Sequence, residues 1–114
     1  MKRRFDLYLN DILEAIERIQ EYTEHLDIEE FSKTKIKVDA VIRNLEVIGE
    51  AATQLPADIK EKHKETPWKD IQDFRIVVAH HYWKVNQDRI WDIIENKLDE
   101  LKQQIINILD KECN

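Results

Sequence analysis

The sequence predicts an all-α protein, an antiparallel bundle of four to five helices in a single domain covering residues 1–114. Three observations carry that expectation. Apolar residues recur at alternating steps of three and four over long stretches. One glycine and two prolines leave few of the turn residues that many short strands need. Charged residues make up 37% of the chain, which suits the polar faces of long amphipathic helices.

Phe5, Leu9, Ile12, Ile16, Ile19 and Leu26 form the first stripe, with Thr23 filling its one gap, and predict a helix over 6–25. Asp27 then caps a short turn through Ile28 and Phe31. Val38, Val41, Ile42, Leu45, Ile48, Ala52 and Leu55 define a second long helix, which Pro56 stops. Another short helical turn follows that proline. Thr66 and Pro67 supply the next start, threonine as cap and proline at the first helical position. The helix they open holds Trp68, Ile71, Phe74 and Val78. A last helix starts at Asn86 and buries Ile90, Ile94, Leu98, Leu101, Ile105 and Ile108. Gly49 sits inside the second helix, where glycine costs about 1 kcal/mol relative to alanine. With Ala51 and Ala52 beside it, it predicts close approach of another backbone.

Charge and composition narrow the function. Eighteen basic against 24 acidic residues give a net charge of −6, which argues against gripping nucleic acid by a broad basic face. Cys113 is the only cysteine, so a disulfide framework and a cysteine zinc site are both excluded. None of the histidines at 25, 63, 80 and 81 follows a glutamate by three positions, so the di-iron bundle signature is missing. Glu21 and His25 read as an exposed charge pair, and His63 as part of a solvated charge run, Glu61-Lys62-His63-Lys64-Glu65. No phosphate-binding glycine loop and no glycine-flanked serine occur. The expectation is chemistry without a metal or cofactor. The basic start, Met1-Lys2-Arg3-Arg4, leads into no apolar run, and a cytoplasmic protein without a membrane segment is expected.

The chemistry concentrates in Phe74-Arg75-Ile76-Val77-Val78-Ala79-His80-His81-Tyr82. Arg75 offers a planar fork of donors suited to phosphate, and His80 is the side-chain type that trades a proton near neutral pH. Tyr82 adds a hydroxyl. An arginine among Ile71, Phe74, Val77 and Val78 is costly to bury without an anionic partner. A structural ion pair to a neighbouring helix is the plain alternative. Five residues rotate an α-helix by roughly 140°, so Arg75 and His80 would point to different sides of one continuous helix. Either the helix ends near Ala79, or two subunits share the site.

The segment from Pro67 to Leu101 resembles the HepT-type branch of the HEPN superfamily, whose mark is an arginine, four residues, a histidine, one residue and a tyrosine. Here those are Arg75, His80 and Tyr82. The likeness extends through Pro67-Trp68-Lys69-Asp70-Ile71, Ile90-Trp91-Asp92-Ile93-Ile94 and Ala40-Val41-Ile42-Arg43-Asn44-Leu45-Glu46-Val47-Ile48-Gly49-Glu50-Ala51. Nearly the whole chain is covered. The resemblance implies a HEPN-like homodimer, the toxin of a toxin–antitoxin pair acting as a metal-independent ribonuclease. It implies a minimal nucleotidyltransferase as antitoxin partner, able to place AMP on the motif tyrosine, here Tyr82. One departure stands out: Ile76 follows the arginine where many members carry a polar residue, often asparagine.

On that reading Arg75 binds the scissile phosphate, and His80 transfers protons, with His81 the weaker second candidate. Asn44 and Glu50 line the site from the second helix, or alternatively make structural hydrogen bonds to the motif helix. The competing function is a non-catalytic helical module that binds a nucleotidyltransferase, and a nucleotide, through the same pocket. A plain scaffold ranks last, since it leaves the motif unexplained.

Overall fold

The computed structural model describes residues 4–79 and 83–113. Within them lie seven helices: α1 (Phe5–Thr23), α2 (Ile28–Lys33), α3 (Lys35–Gln54), α4 (Ala57–Lys62), α5 (Trp68–Ala79), α6 (Trp83–Asn96) and α7 (Leu98–Cys113). The all-α class is as expected. The helix number exceeds four to five, because two helices of only six residues are included and the last predicted helix is divided.

The apolar stripes form one core. Leu9, Ile12, Ile16 and Ile19 of α1 are fully buried, as are Val41, Leu45, Ile48 and Ala52 of α3. These two helices pack along each other, α5 also packs on α3, and α7 lies against α1. Burying one such aliphatic side chain contributes about 1.5–3 kcal/mol, so the three-and-four spacing is what selects these faces. Thr23 completes the α1 stripe by donating its hydroxyl to the Ile19 carbonyl at 2.9 Å. Asp27 caps α2 as expected: it accepts from the Glu30 N–H, while the Glu30 side chain accepts from the Asp27 N–H. Phe31 of α2 meets the Trp91 ring of α6, with centroids 5.3 Å apart.

Four local expectations are corrected. The helix predicted from Asn86 begins at Trp83 and breaks at the single turn residue Lys97. The break is slight: Lys97 N–H still bonds the Ile93 carbonyl, and Leu101 N–H bonds that of Lys97. Asp99 and Glu100 in the first turn of α7 favour a fresh helix start there. Thr66 does not cap α5. Its hydroxyl is buried without a hydrogen bond among the described residues, and α5 starts at Trp68 with Pro67 outside it. Glu21 and His25 do not form a helical pair, because α1 stops at Thr23 and His25 takes a positive φ of 63°. His25 instead lies 3.4 Å from Glu24.

The fourth correction is the largest. His63 is 5% exposed rather than solvated. Its Nε2 lies 2.9 Å from Glu112 near the end of α7, and Lys62 lies 3.2 Å from the same carboxylate. The His63 carbonyl accepts from the Trp68 indole N–H at 3.0 Å. The carboxylate that makes burial affordable lies 49 residues away in the chain, so this tether ties α7 to the start of α5.

Hydrogen bonds from His63 and Lys62 hold the Glu112 carboxyl below its ordinary value of 4.5. A carboxylate depressed in the folded state stabilises above its unfolded pKa, and that contribution is lost as pH falls through the folded value. Glu112→Gln is therefore expected to lower Tm at pH 7, with the gap to wild type closing as pH falls through the unfolded and then the folded value. Thermal melts across that range check it. A Tm gap of equal size at both ends would show that charge is not what the tether uses.

Candidate functional site

Arg75 sits in the C-terminal half of α5, where that helix crosses α3. The crossing is close because of Gly49. A Cβ built there would lie 3.0 Å from the Arg75 backbone nitrogen, 3.1 Å from the Arg75 Cβ and 3.2 Å from the Gln72 carbonyl oxygen. The glycine is thus the backbone approach that its cost inside a helix implied. The small residues Ala51 and Ala52 are likewise buried within this chain, at 6% and 0% exposure. They leave no open small-residue stripe for a second subunit.

Beside the crossing lies a cavity of about 370 Å3. Tyr8 and Asp11 of α1, Val47, Glu50, Ala51, Thr53 and Gln54 of α3, and Arg75 of α5 line it. Contrary to the expected burial, Arg75 is exposed. Its guanidinium makes no hydrogen bond or ion pair among the described residues, so the plain ion-pair alternative is not seen there either. The reason is its place on the helix: Ile71 and Phe74 take the core face, Arg75 sits at the edge of that face against Gly49 of α3, and Ile76 takes the outer side. Ile76 is 52% exposed.

The other predicted site residues divide. Glu50 is exposed and lines the cavity with Arg75. Asn44 does not line it. It is buried and donates to the Ala40 carbonyl of its own helix at 2.8 Å, neither at the cavity nor bonded to α5. His80, His81 and Tyr82 lie outside the described residues. Tyr8 and Asp11 went unnoticed in the sequence, although each precedes a buried stripe residue, Leu9 and Ile12, and so marks the edge of the α1 core face. Among the described residues no group of three histidine, cysteine, aspartate or glutamate side chains could hold a metal ion, and no helix is long and apolar enough to cross a membrane.

A small helical domain thus sets Arg75, without a hydrogen bond or ion pair among the described residues, in a cavity lined from three helices. Residues 12–108 match the family described as Ribonuclease HepT-like. The chain belongs to that ribonuclease family. Among its relatives, it is 40% identical over 102 residues to "Probable ribonuclease HepT" of Thermococcus cleftensis, covering 90% of this chain and 93% of that one. A protein of Caldanaerobacter subterraneus subsp. tengcongensis, named a "Putative RNase", is 39% identical over 105 residues, covering 92% and 94%. A Methanocaldococcus jannaschii protein named "Gamma-glutamylcyclotransferase and putative RNase" is 36% identical over 111 residues. This chain spans half the length of that relative. No solved structure matches the chain.

Proposed function

We propose that this protein is the toxin of a toxin–antitoxin pair, a homodimeric, metal-independent ribonuclease that uses Arg75, His80 and Tyr82. The observation that carries the reading is the exposed Arg75, without a hydrogen bond or ion pair among the described residues, beside the α3–α5 crossing in a HepT-like chain. RNA brings its own nucleophile. As the 2′-hydroxyl attacks phosphorus, His80 takes its proton, the bond to the 5′-oxygen breaks, and that oxygen must receive a proton. Arg75 binds the phosphate and stabilises the charge that develops on it. One histidine cannot easily make both transfers at once, which favours two motifs in a shared cleft, with His81 as the weaker second donor. The exposed Ile76 next to Arg75 gives such a cleft an apolar edge.

Tyr82 is the regulatory handle. With an unperturbed pKa of about 10, a tyrosine is a poor base at neutral pH, while AMP placed on it by the nucleotidyltransferase adds bulk and charge beside the phosphate site. The second reading, a non-catalytic module binding that partner, is favoured by Ile76 in place of a polar residue.

The test uses the purified chain with RNA in EDTA. Cleavage is expected, with sedimentation showing a dimer at micromolar concentration. Incubation with the antitoxin and ATP should add one AMP mass to wild type and none to Tyr82→Phe. Activity that needs a divalent metal, or a strict monomer, would overturn the mechanism.

A further inference from the structure

We propose that the cavity beside Arg75 holds a guanine-selective base subsite, with Glu50 and Gln54 of α3 as its reading edge. This rests on the ribonuclease reading of the same cavity and names which nucleotide it prefers.

Glu50 and Gln54 are four residues apart on one helix, so their Cβ atoms lie about 5–6 Å apart on one face. Both line the cavity, both are exposed, and neither has a hydrogen-bond or ion-pair partner among the described residues. Thr53 lies between them, but its hydroxyl already donates to the Gly49 carbonyl at 2.9 Å. It can offer a ligand only acceptor lone pairs. Val47 and Ala51 supply apolar surface, and Tyr8 from α1 supplies an aromatic wall on which a base can stack. A volume of about 370 Å3 suits one nucleotide rather than a duplex.

The donor and acceptor pattern selects the base. A carboxylate only accepts, whereas a glutamine amide both donates and accepts. Guanine presents two adjacent donors, N1–H and the N2 amino group, beside the O6 acceptor. Glu50 can take both donors in parallel while the Gln54 amide donates to O6. Adenine and cytosine present one amino group on that edge beside a ring-nitrogen acceptor, which a carboxylate cannot pair. Uracil presents one N–H flanked by two carbonyl oxygens, which a carboxylate repels. The preference therefore runs from guanine, first, to uracil, last. The negative wall also disfavours a phosphate anywhere but at Arg75, which fixes the direction in which a nucleotide lies.

The test titrates the full-length chain with 3′-GMP and with 3′-UMP, followed by chemical-shift changes or calorimetry. The expected result is binding about tenfold tighter for GMP, the scale of one bidentate pair. Glu50→Gln, which keeps size but loses the second acceptor, should reduce that ratio to about twofold or less. Arg75→Ala should weaken both nucleotides and leave the ratio standing. Equal affinities in wild type, or a ratio unchanged in Glu50→Gln, overturns the subsite. Oligonucleotide cleavage separates it from the reading beneath it. Cleavage without base preference overturns the subsite alone; GMP preference without cleavage of any RNA upholds the subsite and removes the ribonuclease.

Discussion

Arg75→Ala is expected to lower RNA cleavage by about 10²–10³-fold, the usual loss when one preorganised charge donor at a transition state is removed. The fold should survive. Arg75 is exposed and lacks an ion pair among the described residues, and the Cβ that meets Gly49 is kept by alanine. Activity and Tm should therefore part company, with Tm held within a few degrees. His80→Ala should match the loss of activity, since proton transfer is assigned to it. Arg75→Lys should fall between, because it keeps the charge and loses the planar fork. Measuring kcat/KM beside a thermal melt decides the matter. A collapse of Tm in Arg75→Ala would make the arginine a structural residue and the cavity an incidental one.

Substitution of Gly49 should do the opposite, striking stability first. Alanine is the better helix former by about 1 kcal/mol, so in an open helix Gly49→Ala would stabilise. Here its methyl meets the Arg75 nitrogen at 3.0 Å, and backbone cannot rotate aside as a flexible side chain does. Overpacking costs about 1–3 kcal/mol, so Gly49→Ala should lose on balance and Gly49→Leu should lose several kcal/mol. Denaturant unfolding of the three proteins gives the order. A stabilised Gly49→Ala would show that α3 and α5 separate more easily than their contact suggests.

The long-range order of this fold was legible wherever a helix face repeats. The α1 stripe, the α3 stripe and the Asp27 cap each depend on neighbours within a turn or two, and periodicity reads that range. Gly49 was legible for a related reason, as a residue whose local cost needs a tertiary explanation. His63 was not. Its charged neighbours describe a solvated segment, and the partner that permits burial, Glu112, sits at the other end of the chain. Arg75 failed differently: its apolar neighbours implied burial, yet a helix has an outer side even in an apolar run. Tyr8 and Asp11 entered the cavity wall from a helix whose own pattern spoke only of the core. The cavity was thus read on two helices where three line it: Glu50 lies there beside Arg75, while the Asn44 amide serves its own helix.

The seating of α7 on α1 has a kinetic side. Gln20 reaches Asp99 at 2.9 Å across a sequence separation of 79 residues, whereas α1 with α3 and α3 with α5 join segments much nearer in the chain. Closing a longer loop adds only about 0.6 kcal/mol per doubling of its length, so equilibrium barely registers the difference. The order of events does, because distant contacts reward the chain only after their closure entropy is spent. The three central helices can gather first and α7 can dock onto a surface already made. Lesions in the α7 seam then fall on the speed of coming apart rather than on the speed of assembly, which leaves the arginine-bearing crossing the earliest ordered part of the molecule.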